Sequence, residues 1–388
     1  MTPDAAVAVD ALLERAVAAG DVPNAVVVAA DDTGPVYAGA AGPRAVGAPD
    51  PVTPDSVFRV ASMTKMVTTV LALQQSELGT LDLSAPVAAY LPAFADLPVL
   101  DGFDGDVPRL RPPASQATVA QLLTHTSGLA YWFWNGQVLR WERATGTPNV
   151  LAGTLDAFTA PLVADPGTRW EYGVSTDWLG RVVEVVAGAP LEVVADRDVL
   201  APLGMHSTGF RLTEQLQARS VPVHRRRPDG VWAPTRIDWA PDREWESGGH
   251  GLYSTPADYL RFQRMLLGRG TLDGAVLLRP DTVDAAFRDQ LGGLEVPALV
   301  RTAHPASSCD FAPGPGHTWG HGLLVNTRDQ PGRRAAGSGG WAGIDNTYFW
   351  VDPSSRLTAA LHSQSLPFLD PGVVRLYEDV ERALYAGR

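Results

Sequence analysis

From residue 4 to residue 19 alanine, valine and leucine recur at helical spacing and the run ends at Gly20, which predicts an opening helix closed by a glycine. Two apolar runs follow, Asn24 to Ala30 and Pro35 to Ala41, separated by the turn signal Asp31-Asp32-Thr33-Gly34, and they predict a hairpin. A periodic apolar segment begins just after Ser62 and stops at Gly79. Towards the other end Gly320 to Asn326, Asn346 to Val351 and Leu357 to His362 read as strands, and GVVRLYEDVERALY, Gly372 to Tyr385, reads as an amphipathic closing helix. Between about residues 85 and 245 proline and glycine are frequent and short helical patterns dominate, such as Thr118 to Leu123 and Thr176 to Ala187. The pattern predicts an α/β (α+β) fold with a sheet built from both chain ends, residues 1–84 and 246–388 forming one lobe. An inserted, mainly helical lobe then spans 85–245.

Composition narrows the function classes. With 31 Lys+Arg against 43 Asp+Glu the 388-residue chain carries a formal charge of −12, and it has no basic run that could neutralise phosphates, so neither a nucleic acid nor an anionic membrane surface is an expected partner. No stretch reaches the roughly 18 apolar residues of a membrane span, and acids stand where a signal peptide has its basic region, so the expected compartment is the cytoplasm. A single cysteine, Cys309, excludes an internal disulfide and a cysteine metal cluster. The spacing in His317-Thr-Trp-Gly-His321 lacks the acidic base of a metal helix, and neither a metal nor a cofactor is expected.

One count bears directly on chemistry. Lys65 is the only lysine, every other basic residue being arginine. Arginine stays protonated whereas a desolvated lysine can lose its proton, so a position that needs a neutral amine can be filled only by lysine. Ser62 stands three residues before Lys65 at a predicted helix start, where positions i and i+3 share a face and orphan N–H groups favour negative charge on a substrate oxygen. A neutral Lys65 could there take the Ser62 proton. An ordinary reading makes Ser62 a helix cap and Lys65 a solvated first-turn residue. Tyr172, in Arg169-Trp-Glu-Tyr172-Gly-Val-Ser-Thr-Asp177, is a candidate proton relay beside a cation. Gly337-Ser-Gly-Gly-Trp341-Ala342-Gly343-Ile344 is a glycine-rich approach to a strand where a backbone can lie close to a ligand.

Ser62-Met-Thr-Lys65, Tyr172 with Asp177-Trp-Leu-Gly, and Trp341-Ala-Gly-Ile344, in that order, resemble the serine β-lactamase/penicillin-binding-protein superfamily, and specifically its family VIII carboxylesterases, which are related to class C β-lactamases. Leu122-Leu-Thr-His-Thr-Ser-Gly-Leu129 and Gly248-Gly-His-Gly-Leu-Tyr-Ser-Thr-Pro-Ala-Asp-Tyr259 extend the likeness over nearly the whole chain. The resemblance implies a serine β-lactamase-like fold, an antiparallel sheet flanked by helices with the active site in the cleft between it and the helical lobe. It also implies a nucleophile at Ser62, general-base duty shared by Lys65 and Tyr172, and an oxyanion hole from the backbone N–H groups of Ser62 and Ile344. The third motif departs from the superfamily's usual Lys-Thr-Gly by offering Trp341-Ala342-Gly343. It therefore lacks a charge-assisted anchor for a carboxylate-bearing β-lactam or peptide, worth about 1.5 to 3 kcal/mol. Tyr131, Trp132 and Trp134, with Trp341, are expected to wall an apolar substrate pocket. His125 reads as a turn residue.

The expected activity is thus hydrolysis of short or medium acyl or aryl carboxylic esters through an acyl-Ser62 intermediate, with a small-molecule ester as the partner. The first alternative is an acyltransferase or amide-forming transacylase of secondary metabolism on the same scaffold. The second is a β-lactamase or DD-peptidase, or a binding protein that has lost catalysis. The oligomeric state is open.

Overall fold

The computed structural model describes residues 1–387. Its main sheet has seven strands, β1 (Ala25–Asp31), β2 (Pro35–Ala41), β3 (His317–Trp319), β4 (Leu324–Asn326), β5 (Gly339–Gly343), β6 (Thr347–Asp352) and β7 (Leu357–His362). They lie in the order β3-β4-β5-β6-β7-β1-β2, antiparallel throughout, with Val28 opposite Ala360 and Trp341 opposite Phe349. Strands from the chain's two ends therefore meet at the β1–β7 pair, next to the edge strand β2. β6 and β7 are buried along their whole lengths, so their apolar residues run continuously instead of alternating.

Helices cover the sheet because each carries one apolar stripe. α1 (Pro3–Ala18) buries Ala5, Val9, Leu13 and Ala16, and α6 (Pro371–Ala386) buries Val373, Leu376, Val380 and Leu384, both at i, i+3/i+4 spacing. They pack on each other, α1 also lying against β1 and β2, while α5 (Pro256–Leu267) packs against β1, β6 and β7. On α5 the buried Gln263 amide donates to the Ala359 carbonyl at 2.9 Å and the Thr358 hydroxyl at 2.8 Å. Thr2 and Thr255 cap α1 and α5, each with proline in the first turn where the missing N–H costs nothing.

α2 (Thr64–Glu77) is buried at every residue from Thr64 to Leu73, as a helix with elements on all sides must be. α3 (Val119–Leu123) starts with a capping box between Thr118 and Gln121. α4 (Ser175–Ala187) packs on α2 and ends at Gly188, whose φ of +66° suits glycine.

One expectation is corrected. Gly320 to Asn326 is not one strand: β3 ends at Trp319, and a tight turn through Gly322, at φ +76°, leads into β4. Within 85–245 an antiparallel hairpin, Val99–Asp104 with Val107–Arg111, stands among the helices. Its glycine, proline and aspartate content hid any alternation in the sequence.

Candidate active site

The nucleophile candidate sits at a junction. Ala61, Ser62 and Met63 form a single 3₁₀ turn that runs into α2, and Ala61 holds the left-handed φ of +45°, unusual for a residue with a side chain. Three contacts fix that turn. The Tyr259 hydroxyl of α5 donates to the Met63 carbonyl at 2.8 Å, Val60 N–H donates to Leu252 O at 3.2 Å, and Thr347 Oγ1 donates to Val60 O at 3.3 Å. Gly343, at the end of β5, lies so close that a Cβ there would stand 2.4 Å from the Val60 carbonyl oxygen, so only glycine fits.

The spacing Ser62-x-x-Lys65 brings the two side chains together as expected: Lys65 Nζ lies 3.2 Å from Ser62 Oγ. It also donates to the Tyr131 hydroxyl at 2.9 Å and to the Gly249 carbonyl at 2.8 Å. Three acceptors match the three donors of an ammonium, yet Lys65 is only 1% exposed, and burial brings its pKa down to about 7 against the attraction of Asp177. Tyr172 completes the group. Its hydroxyl is hydrogen-bonded to Ser62 and accepts from the Trp341 indole N–H at 2.8 Å. Burial pushes the Tyr172 phenol up more than these hydrogen bonds pull it down. Near neutral pH the cluster therefore holds one amine that can be neutral and two phenols, Tyr131 and Tyr172, that keep their protons.

The loop ahead of α5 grips α2 from the far side. Gly248 O accepts from Thr68 Oγ1 at 2.8 Å, Gly249 O from Lys65, and Leu252 N–H donates to Thr64 Oγ1 at 3.1 Å. Ile344 follows Gly343 at the turn into β6 and packs against a small apolar cluster that includes Ala61, the residue before Ser62. β5 pairs with β4 only at Gly339 and Gly340, which leaves the β4-side edge of Trp341, Ala342 and Gly343 without a strand partner among the described residues.

The aromatic residues divide. Trp341 stands with its ring centroid 4.9 Å from that of Tyr172 and 4.7 Å from that of Trp319, so the indole that replaces the expected lysine is built into the cluster. Trp134 lies 5.4 Å from the Tyr172 ring and stacks on Phe311, whereas the ring contacts of Trp132 run to Tyr131 and Phe133. Tyr131 is not confined to a pocket wall, since its hydroxyl is a direct partner of Lys65. His125 holds a turn, at φ +55°, its Nδ1 accepting from Gly173 N–H at 3.4 Å, and burial keeps its ring well below the usual histidine range. Cys309 is half-buried in a loop, and its carbonyl accepts from the Trp134 indole at 3.3 Å.

Sequence reasoning passed over Asp177, Ser247 and His250, which join the cluster from behind. Asp177 appeared only as part of a motif, and no spacing along the chain relates it to a loop seventy residues on. Two recesses flank the site. A cavity of about 790 Å3 is lined in part by Trp341, Ala342, Phe311 and Val374 and elsewhere by charged residues such as Arg334 and Glu378, and a smaller one of about 230 Å3 by Trp134, Trp170, Tyr172 and Val300.

This fold, with a serine and a lysine one helical turn apart between a glycine-lined strand and a helical layer, defines the β-lactamase class of architecture. The beta-lactamase family profile matches residues 9–384, and the chain belongs to that family. Among its relatives is monacolin J acid methylbutanoyltransferase of Aspergillus terreus, 32% identical over 99% of this chain and 96% of that protein. The lovastatin esterase of Penicillium rubens is 36% identical over 73% of each chain. Unliganded simvastatin synthase (LovD) of Aspergillus terreus superposes with a TM-score of 0.87 at 30% identity, over 99% of both chains.

Proposed function

We propose that this protein is a serine acyltransferase that carries an acyl group on Ser62 from an ester or thioester donor to an alcohol, with hydrolysis as the competing fate. The observation that carries the reading is the buried contact of Ser62 Oγ with Lys65 Nζ at 3.2 Å, beside a Tyr172 phenol. In the first step neutral Lys65 takes the Ser62 proton as Oγ attacks the donor carbonyl, and the backbone N–H groups of Ser62 and Ile344 receive the oxyanion. The tetrahedral adduct collapses and its leaving group departs with a proton passed from Lys65 through Tyr172. The acceptor alcohol then reverses these roles: its O–H proton goes to the same pair, its oxygen attacks the acyl carbonyl, and Ser62 regains a proton. Burial pushes the pKa values of amine and phenol apart, which supports Lys65 as the base and Tyr172 as the relay.

Transfer is supported by a relative aligned over nearly all of both chains that bears an acyltransferase name, and by a cavity beside Trp341 with room for a bulky alcohol. The smaller recess beside Tyr172 suits a short acyl chain. The second reading is a carboxylesterase of the family VIII type, supported by the relative named as an esterase. Trp341 in place of the superfamily lysine speaks against a β-lactam or peptide carboxylate as substrate in either case.

The test is acyl partition. Wild type and Ser62→Ala are incubated with short-chain p-nitrophenyl esters and thioesters, with and without a bulky alcohol, and the products are weighed by mass spectrometry. Acyl-Ser62 with ester product exceeding free acid supports transfer. Free acid alone at saturating alcohol supports the esterase, and release that survives Ser62→Ala refutes both.

A further inference from the structure

Behind Lys65 stands a carboxylate that the proposed steps do not use. Asp177, in the first turn of α4, is fully buried. Its Oδ1 accepts from Gly249 N–H at 3.0 Å and from the Ser247 hydroxyl, and its Oδ2 lies 3.4 Å from the Tyr131 hydroxyl. Tyr131 and Gly249 are also two of the three acceptors of Lys65. Amine and carboxylate are therefore joined by two bridges, one through a phenol and one through the Gly249 backbone, whose N–H and C=O belong to successive peptide groups. The backbone bridge has no slack, because a Cβ on Gly249 would stand 2.5 Å from Asp177 Oδ2.

The other groups around this pair are neutral or distant. Ser62 lies on the lysine's own segment. His125 and Tyr131 come from the chain after α3, Tyr172 from the chain before α4, and Gly249 and His250 from the loop ahead of α5. Burial holds His125 and His250 below the usual histidine range, His250 at about 4, and holds Tyr131 and Tyr172 above the usual phenol range. Arg59 and Arg243 act on His250. His250 Nδ1 is 2.6 Å from Ser247 Oγ, which turns the Ser247 hydroxyl into part of the cradle around Asp177. Among the described residues Asp177 is the one carboxylate hydrogen-bonded into the cluster.

The geometry points to Asp177 as the positioning residue of the acyl-transfer step: through Tyr131 and the backbone of Gly249 it aims Lys65 Nζ at Ser62 Oγ, and its charge stabilises the lysine once it has taken the serine proton. This rests on the reading of Lys65 as the base. It accounts for the burial of an acid inside a helix start, which a purely structural role would fill with a neutral side chain at lower desolvation cost.

Because Lys65 is the only lysine, protein grown on lysine labelled with carbon-13 at Cε gives one lysine resonance, and its pH titration reads that amine without assignment. Asp177→Asn keeps the shape and removes the charge. The expected result is a midpoint lower by about one pH unit, an acid limb of kcat/KM that moves down with it, and a kcat at least about tenfold below wild type with KM little changed. Tyr131→Phe keeps the charge, breaks one bridge, and should move the midpoint in the same direction by less. It also serves if Asp177→Asn does not fold, as judged by its thermal melt. A midpoint unmoved in the folded variants overturns the inference, whatever the activity. A lysine resonance that moves while the wild-type acid limb does not follow its titration overturns instead the role of Lys65 as base, and this inference with it.

Discussion

At the scale of single residues the site runs on one unfavourable burial. A lysine amine whose pKa falls from its ordinary value near 10.5 to about 7 binds fewer protons in the folded chain than in the unfolded one between those pH values, so stability rises with pH across that window. Below about pH 7 the folded protein carries the full cost of the buried charge. Lys65→Met, close in volume and without charge, should therefore be inactive yet melt several degrees higher than wild type at pH 6, with the gap narrowing towards pH 10. Calorimetry at the two pH values checks it, and an equal or lower melting temperature at pH 6 refutes the account. The same depressed pKa gives the activity profile its sign: with the neutral amine as the proposed base, kcat/KM for ester turnover should climb with pH and level off above about 7. Lys65→Arg keeps the cation but cannot supply a neutral base, and should lose about a thousandfold or more in initial rate.

At the scale of elements the site depends on how closely two of them approach. β5 and the turn carrying Ser62 touch through Gly343 and Val60, and the buried Arg59–Asp345 pair at 3.1 Å ties the residues just before Ser62 to the turn just after Ile344. Gly343→Ala would drive a methyl into the Val60 carbonyl and part the two N–H groups proposed as the oxyanion hole. The expected outcome is a fall in kcat of roughly a hundredfold or more, in keeping with loss of an oxyanion donor, and a loss of about 1 to 3 kcal/mol in stability from overpacking. Steady-state kinetics with a denaturant melt measures both. A kcat within twofold of wild type would show that this contact does not set the oxyanion geometry.

At the scale of the whole molecule, fold and pocket come from segments far apart in sequence. The larger cavity takes Phe311 from a loop, Trp341 and Ala342 from β5, Phe368 from the chain after β7, and Val374 from α6. Val374→Trp should fill part of it. If the cavity holds the acceptor, KM for a bulky alcohol should rise about tenfold, equal to about 1.4 kcal/mol, while turnover of a small p-nitrophenyl ester changes far less. Equal effects on both substrates would remove the cavity from the acceptor's path. No helix among the described residues is long and apolar enough to cross a membrane.

Local pattern alone determined much of this protein. The stripes of α1 and α6, the β1–β2 hairpin, and β7 at its full length follow from periodicity and turn chemistry, which act between near neighbours. The pairing of Ser62 with Lys65 is legible for the same reason, since one helical turn fixes it, and Tyr172 and Trp341 were marked by motif. The tertiary structure alone decided that Tyr131 meets Lys65, that Asp177 stands behind both, and that Gly249 serves amine and carboxylate together. These contacts join positions 46 to 184 residues apart. The hairpin at 99–111 and the break between β3 and β4 belong with them. Short strands without alternation draw their stability from the partners they pair with, and the order in which distant elements pack fixes which side chains share a buried space.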